Sequence, residues 1–210
     1  MSDDRIGCAR PDGTEHGPVT RWRDDVLVEW YVHKDGPYDG LAARYHPNGT
    51  KAWQGAYRDG KQHGPWNGWH DDGKQHYEQV FRAGTRHGRF RQWYGDGKLQ
   101  WEGTYSDDRP IGLFRYFHEN GQMKSEVDHG TGEGEHSIVE WDENGTKREQ
   151  GSYHDELKVG TWRTWDGAGR LATEHEYNAA GGLYRVTRYE NGKVVERLDI
   201  DPPQPPSPRH

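Results

Sequence analysis

The chain has 210 residues and a formal net charge of -7, and Val, Leu, Ile and Phe together number only 27. So few aliphatic residues at this charge would be typical of disorder, but ten Trp and twelve Tyr can each bury a large area and predict a fold built on aromatic side chains. The acidic balance argues against a general nucleic-acid or anionic-membrane binder, and the single cysteine, Cys8, excludes a disulfide framework and a cysteine-based zinc site. No apolar run approaches the roughly 20 residues that cross a bilayer, and Met1 to Arg5 do not resemble a signal peptide, so we expect a cytoplasmic protein.

The N-terminal part of the sequence lacks the regularity of the residues after it. Residues 1–16 are polar, lack periodicity and are predicted to be a tail. Residues 17–39 resemble a degenerate first repeat, with Gly17 and Trp22 in the expected places before an apolar run. Terminal repeats are usually atypical because they cap the stack, so this segment is interpreted as an N-terminal cap.

From residue 40 the sequence repeats every 24 residues. The period is marked by turn glycines, namely Gly49, Gly73, Gly97, Gly121, Gly145 and Gly169, with Gly192 following after 23. Most follow Asn or Asp, and such pairs favour the type I′ turn at the tip of a β-hairpin. A second, looser turn follows each tip by about eleven residues, as at Asp59-Gly60, Ala83-Gly84 and Asp107-Asp108. The pattern predicts an all-β fold, an elongated single-layer antiparallel β-meander of about seven hairpin repeats over residues 17–197.

A two-residue loop at each tip fixes which residues lie opposite each other. In three repeats an Arg then lies opposite a Glu, namely Arg91 with Glu102, Arg115 with Glu126, and Arg163 with Glu174. Where the Glu is replaced by Gln, the Arg is replaced as well, as in Ala43 with Gln54 and Val139 with Gln150. Asn67 with Glu78 breaks the pattern. Opposite charges across an antiparallel pair contribute roughly 0.2 to 1 kcal/mol, so the matched changes favour this register.

The same register places aromatic residues opposite glycines, as in Phe90 with Gly103, Gly64 with Phe81, Gly88 with Tyr105, and Gly160 with Tyr177. These residues share one face with Trp53, Tyr77 and Trp101, and we expect this face to be the packed one. The other face carries the Arg and Glu pairs. It also carries an aromatic column near the tips: Tyr45, Trp69, Trp93, Phe117, Trp141 and Trp165.

Two segments interrupt the regular pattern. Residues 130–136 replace a return turn with a glycine-rich stretch and are predicted to be an irregular, flexible loop. Residues 198–210 contain five prolines and are predicted to be a disordered tail. Both are the kind of exposed segment that proteases cleave, so regulation by proteolysis is one hypothesis.

The units Gly55 to Gly64 and Gly103 to Asp108 resemble the MORN repeat, and the Trp-x-x-Trp before each tip resembles the bacterial MORN variant of YwqK-like proteins, often described as antitoxin-like. The resemblance covers roughly residues 17 to 197. It implies the meander fold and a scaffold or binding surface. The second glycine of the simplest MORN pattern is missing after each His-Gly or Ile-Gly pair, where Trp66, Phe90 and Phe114 stand.

Catalytic and metal chemistry find little support in the residue pattern. The thirteen histidines include His63 and His87 at equivalent repeat positions, but no spacing typical of a metal site on a helix occurs. No serine lies in a Gly-x-Ser-x-Gly context, and the repeated Glu78, Glu102 and Glu126 are better explained as structural ladders than as a glycosidase carboxylate pair. We therefore expect no catalytic residue, cofactor or metal, and a protein that is not an enzyme.

The aromatic column has the strongest claim to function, because aromatic and Arg residues dominate interface energetics, although packing along the sheet would explain it too. The predicted anchors are Trp69, Trp93, Phe117, Trp141 and Trp165, with Arg91, Arg115 and Arg163 beside them. The expected function is a protein-binding module, an antitoxin-like inhibitor that occludes a partner with a basic functional surface, such as a nuclease toxin or a DNA-binding regulator. It would act as a monomer or heterodimer, without binding nucleic acid directly. The alternative is a structural scaffold or a membrane-peripheral organiser.

Overall fold

The structure is a computed structural model that describes residues 3–131 and 134–201. Every regular element in these ranges is a β-strand, and each strand runs antiparallel to the neighbours with which it pairs. The chain divides into two compact units, residues 1–110 and residues 111–210. In the described part of the chain, no helix is long and apolar enough to cross a membrane.

Unit 1 is a meander of ten strands. They are β1 (Asp3–Ala9), β2 (Glu15–Arg23), β3 (Val26–His33), β4 (Tyr38–Tyr45), β5 (Lys51–Arg58), β6 (Lys61–Trp69), β7 (Gln75–Arg82), β8 (Thr85–Arg86), β9 (Gly88–Trp93) and β10 (Leu99–Ser106). Consecutive strands pair along the chain, except that β8 and β9 both pair with β7 and β9 then pairs with β10.

Unit 2 repeats this arrangement with eight strands. They are β11 (Arg109–Phe117), whose first two residues precede the unit boundary, β12 (Met123–Asp128), β13 (Glu135–Trp141), β14 (Lys147–His154), β15 (Leu157–Trp165), β16 (Leu171–Tyr177), β17 (Leu183–Glu190) and β18 (Lys193–Asp199). Sequential antiparallel pairing in both units confirms the predicted meander of hairpins.

The predicted cross-strand partners are confirmed. Arg91 lies opposite Glu102, Arg115 opposite Glu126 and Arg163 opposite Glu174. The aromatic and glycine partners pair as expected too, for example Phe90 with Gly103 and Gly160 with Tyr177.

The predicted turn types, by contrast, are wrong at most tips. At the first tip the Gly49 N–H donates to the His46 carbonyl over 2.9 Å and the His46 N–H to the Thr50 carbonyl over 2.8 Å, which closes a three-residue loop. Gly49 has a φ of 81°, whereas Asn48 is not left-handed. A type I turn followed by a left-handed glycine needs only one positive φ, whereas a type I′ turn would also force Asn48 there.

The predicted pairing register is nevertheless correct, because a β-bulge compensates for the extra residue in the loop. Tyr45 lies opposite Lys51 but Arg44 lies opposite Trp53, so Ala52 is an extra, bulged residue. The longer loop and the bulge each shift the pairing by one residue, in opposite senses. The partners below the bulge are therefore those that a two-residue loop would have given.

Type I′ turns occur instead at several of the return turns. Asp59 and Gly60 have φ values of 50° and 75°, and Ala83 and Gly84 of 51° and 91°. Among the tips, Asn191-Gly192 does form the predicted two-residue loop, with φ values of 50° and 74° between the paired Glu190 and Lys193.

The prediction of an N-terminal tail over residues 1–16 is wrong for residues 3–9, which form β1, and for residues 15–16, which begin β2. Arg5 lies opposite Arg21 and Ile6 opposite Thr20, so backbone pairing, which needs no apolar pattern, holds this strand to β2. Gly7 permits a close approach, since a Cβ there would lie 2.8 Å from Cγ2 of the buried Val19. The strand could not be recognised from its polar sequence, because its pairing with β2 depends on backbone hydrogen bonds and not on an alternating apolar pattern.

The other two irregular segments are shorter than predicted. Glu135 and His136 of the expected 130–136 loop belong to β13, where His136 lies opposite Tyr153 and their rings stack 4.8 Å apart. Residues 132–133 of that loop lie outside the described residues. In the expected 198–210 tail, residues 198 and 199 belong to β18, because Leu198 pairs with Val186, and residues 202–210 lie outside the described range.

Each unit packs around a row of ring contacts on the face predicted to be packed, which is opposite to the face that carries the aromatic column. In unit 1 the successive ring contacts are Tyr31–Tyr38, Tyr38–Tyr57, Tyr57–Trp66, Trp66–Phe81, Phe81–Phe90 and Phe90–Tyr105, with centroids 4.9 to 6.4 Å apart. In unit 2 they are Phe114–His129, His129–His136, His136–Tyr153 and Tyr153–Trp162, 4.8 to 5.8 Å apart. The most buried rings, Trp66, Phe90, Phe114 and Trp162, occupy equivalent repeat positions.

Candidate interaction surface

The predicted anchors occupy equivalent places just before a tip turn. In unit 1 Trp69 ends β6 and Trp93 ends β9, and in unit 2 Phe117, Trp141 and Trp165 end β11, β13 and β15. Each predicted Arg lies two residues before an anchor, so that Arg and ring project to the same side of the strand. We call these rings, with the residues beside them, the tip surface of each unit.

The anchor rings are half-buried rather than freely exposed. In unit 1 the Lys51 ammonium lies 5.5 Å from the centre of the Trp69 ring, and in unit 2 Lys147 lies 5.0 Å from the Trp165 ring. A cation over an aromatic face is attracted by the negative potential of the ring. Each of these two rings thus has a lysine of the neighbouring strand over its face.

The predicted arginines are already paired with glutamates of neighbouring strands. Arg163 Nε lies 2.8 Å from Glu174 Oε1, and Arg115 Nε lies 3.0 Å from Glu126 Oε2. A partner would have to compete with these contacts. The arginines therefore orient the tip surface more than they offer free donors to a partner.

Glu174 accepts a second hydrogen bond in addition to its ion pair with Arg163. The Tyr189 hydroxyl donates to Glu174 Oε2 over 2.6 Å, and this hydrogen bond, followed by the one from Arg163, lowers the pKa of the Glu174 carboxyl. The same contact raises the pKa of Tyr189. The carboxylate is stabilised as an anion within the ladder.

Neighbouring tips are fastened to each other by side chains that the sequence interpretation missed. His46 Nε2 lies 2.9 Å from the Trp69 carbonyl and, in unit 2, His118 Nε2 lies 3.0 Å from the Trp141 carbonyl. Asn120 donates to the Glu143 carbonyl over 2.6 Å. The available signal was the recurrence of His one residue after a ring of the aromatic column, at His46, His70 and His118. Tips held in this way form a preorganised surface, which lowers the entropy cost of binding.

Charge is distributed unequally between the units. Residues 111–210 contain 18 acidic and 12 basic residues, a formal charge of -6, whereas residues 1–110 contain 17 and 16, a charge of -1. Glu140 and Glu149 of unit 2 lie directly opposite each other, and the Lys158 ammonium lies 2.9 Å from Glu149 Oε1. Most of the formal negative charge of the chain therefore lies in unit 2.

No group of three or more potential metal ligands occurs among the described residues. His70 and His76 stack with ring centroids 4.3 Å apart, and burial, followed by the neighbouring His70, lowers the pKa of His76. His70 and His76 therefore contribute a ring contact beside the tip at Gly73.

Comparison with known families identifies the repeat. Residues 86–107 and 110–129 match the family model of the MORN repeat variant. Each of these segments contains one tip hairpin, formed by β9 with β10 and by β11 with β12, and the same hairpin geometry recurs in the described strands on either side. No curated protein sequence matches the chain.

Among solved structures, the chain is similar to two crystal structures of TarM. One is of a mutant of S. aureus TarM in complex with Fondaparinux, alpha-GlcNAc-glycerol and UDP, with 18% identity over 42% of this chain and a TM-score of 0.33. The other has 20% identity over 42% of this chain and a TM-score of 0.32. The matched region covers 18% of each TarM chain.

Proposed function

We propose that this chain, which is a MORN-repeat protein, is a non-enzymatic inhibitor that covers the basic functional surface of a partner protein. MORN repeats are often protein- or membrane-binding modules, and the antitoxin-like role is the more specific proposal. The observation that carries it is the formal charge of -6 on unit 2, the unit that also contains the anchors Phe117, Trp141 and Trp165.

Charge and rings contribute in different ways. Acidic residues steer a basic partner toward the surface and raise the association rate, with a strong dependence on salt. Aromatic rings supply the apolar contact that slows dissociation. A nuclease toxin or a DNA-binding regulator has a functional surface of the required sign. We infer that such a partner is occluded, in the cytoplasm, by a monomer that forms a heterodimer with it.

The test starts by recovering partners from host lysate with the whole protein as bait. The affinity of each partner is then measured for the unaltered protein, for Glu143→Lys with Glu190→Lys in unit 2, and for Asp25→Lys with Asp71→Lys in unit 1. Both double variants make the same charge change at exposed residues. We expect at least a tenfold loss for the unit 2 variant and a smaller loss for the unit 1 control.

The inhibitory part of the proposal has its own readout. The partner's nuclease or DNA-binding activity is measured at increasing ratios of this protein, and we expect it to disappear at one equivalent. A partner that binds at the predicted surface yet keeps its full activity contradicts inhibition. Equal affinities for the two charge variants contradict the assignment of the surface to unit 2.

A further inference from the structure

A groove of about 290 Å³ opens on unit 1 where β2, β3 and β4 lie side by side. It lies outside the acidic unit on which the proposed function rests. The residues that line it are Arg21, Arg23, Asp24, Val26, Val28, Glu29, Arg44, Tyr45 and Pro47.

The sheet register brings three arginines to this groove. Arg21 lies directly opposite Glu29, and Glu29 lies directly opposite Arg44 on the next strand. Residues opposite each other in antiparallel strands project to the same side of the sheet, and Arg23 projects there too because it follows Arg21 by two positions. The groove therefore collects guanidinium groups from β2 and β4 on the two sides of β3.

The charges in the groove do not balance. Arg21 Nη1 lies 3.1 Å from Glu29 Oε2, so these two side chains neutralise each other. Arg44 forms no ion pair with any side chain that the structure describes, whereas Arg23 lies directly opposite Asp3 on β1. The lining contains three arginines and two carboxylates, Asp24 and Glu29, so it has a formal excess of one positive charge, which we assign to Arg44. An anion with a single negative charge matches that excess.

The rest of the lining is apolar. Val26, Val28 and Pro47 form this part of the wall. Val28 reaches the groove through a bulge, because Arg21 pairs with Glu29 but Trp22 pairs with Leu27, which leaves Val28 as the extra residue. A volume near the lower end of the 300 to 1,000 Å³ typical of ligand sites admits an anionic head group and only a few carbon atoms.

We propose that this groove binds a carboxylate carried on a small branched apolar group, with Arg44 as the principal donor and Arg23 as the second. The planar guanidinium fork matches a carboxylate in bidentate geometry. A phosphate monoester carries about -1.5 to -2 charges at pH 7 and would leave the groove with an excess of negative charge. The carboxylate can belong to a free short-chain acid or to an acidic residue beside a leucine in a peptide.

The experiment titrates the full-length protein with three probes at low salt: isovalerate, the peptide acetyl-Leu-Glu-Leu-amide, and inorganic phosphate. Binding is followed by the NMR signals of the arginine Nε–H groups and by calorimetry. We expect millimolar affinity for at least one carboxylate and weaker binding of phosphate. Binding of isovalerate indicates a free acid as the source, and binding of the peptide alone indicates a protein segment.

Three variants make the site assignment testable. Arg44→Gln removes the main donor, Arg44→Lys keeps the charge but loses the fork, and Arg58→Gln makes the same charge change at an exposed residue outside the groove. We expect about tenfold weaker carboxylate binding for Arg44→Gln, an intermediate loss for Arg44→Lys, and no change for Arg58→Gln. Thermal unfolding confirms that each variant is folded.

Several outcomes would overturn the proposal. They are equal affinity of Arg44→Gln and Arg58→Gln for the carboxylate, phosphate binding as tight as carboxylate binding, and no carboxylate binding in the millimolar range. None of these results depends on whether unit 2 inhibits a partner, so failure here leaves the proposed function to its own test.

Discussion

The indole ring of Trp66 lies directly on Gly55, and a Cβ on that glycine would be 2.2 Å from the Trp66 Cδ2 atom. Trp162 and Gly151 repeat the arrangement in unit 2, at 2.1 Å. Each indole N–H donates to a backbone carbonyl, Trp66 to Ala56 over 3.2 Å and Trp162 to Ser152 over 3.0 Å. The ring replaces the missing side chain, so the glycine is a packing position in both units.

Substitution of Gly151 by alanine should therefore destabilise the protein. The new methyl group would overlap the Trp162 ring, and overpacking of this kind typically costs about 1 to 3 kcal/mol. The measurement is the free energy of unfolding in urea. Gly167→Ala is the control, since its nearest contact is Arg148 Nη1 at 4.0 Å and its φ is not positive. Equal stability of the two variants would contradict the role given to the ring.

The turn assignment predicts different effects on stability when two alanines are replaced by asparagine. Ala83 has a φ of 51° at a return turn, where a left-handed conformation costs a non-glycine residue about 1 to 2 kcal/mol and costs Asn less. We expect Ala83→Asn to raise the free energy of unfolding by up to about 1 kcal/mol.

The matched variant is Ala168→Asn, at a tip where only the following Gly169 has a positive φ. We expect no gain there, because the residue is not left-handed. Had the tips been type I′ turns, Asn would have stabilised position 168 as well. A gain at both positions would thus favour the turn type that the sequence suggested over the one in the structure.

The strand pairing of this fold can be predicted from the sequence because residues that face each other change together from repeat to repeat. Arg163 faces Glu174, for example, whereas Val139 faces Gln150 at the equivalent positions of another repeat. The geometry of the tips cannot be predicted in this way. The loop is one residue longer than expected and Ala52 is bulged, and because the two shifts are equal and opposite, the residue pairs are those of a two-residue loop. The sequence also misses β1, whose role needs only backbone hydrogen bonds. The anchors could be placed from the repeat, but the ion pairs that engage their arginines follow from side-chain geometry.

The anchors can be tested by removing one ring from each unit. We expect the double variant Trp93→Ala with Trp141→Ala to bind the partner at least tenfold more weakly, because truncation of an aromatic anchor typically costs about 2 kcal/mol or more. Val195→Ala, at a residue that is 53% exposed on β18, is the control for loss of apolar surface elsewhere. Unchanged affinity in a correctly folded double variant would contradict the anchor assignment.

Acidification should destabilise the fold before most carboxylates are protonated. Burial lowers the pKa of His76, with the adjacent His70 as the second cause, and burial also lowers the pKa of His129 and His175. An unfolded histidine has a pKa near 6.5, so below that pH the unfolded chain binds more protons than the folded one. Stability contributed by the neutral rings is full above pH 6.5 and falls as the pH drops toward the folded pKa values.

We therefore expect the melting temperature to fall between pH 7.5 and pH 5.5, a window above the titration of most carboxylates. His76→Gln removes one of the groups that titrate and should reduce this fall, while His129 and His175 preserve the remainder. The check is thermal unfolding of both proteins across the pH range at constant ionic strength. A melting temperature that rises on acidification would show that protonated histidines stabilise the folded state, against the direction that burial dictates.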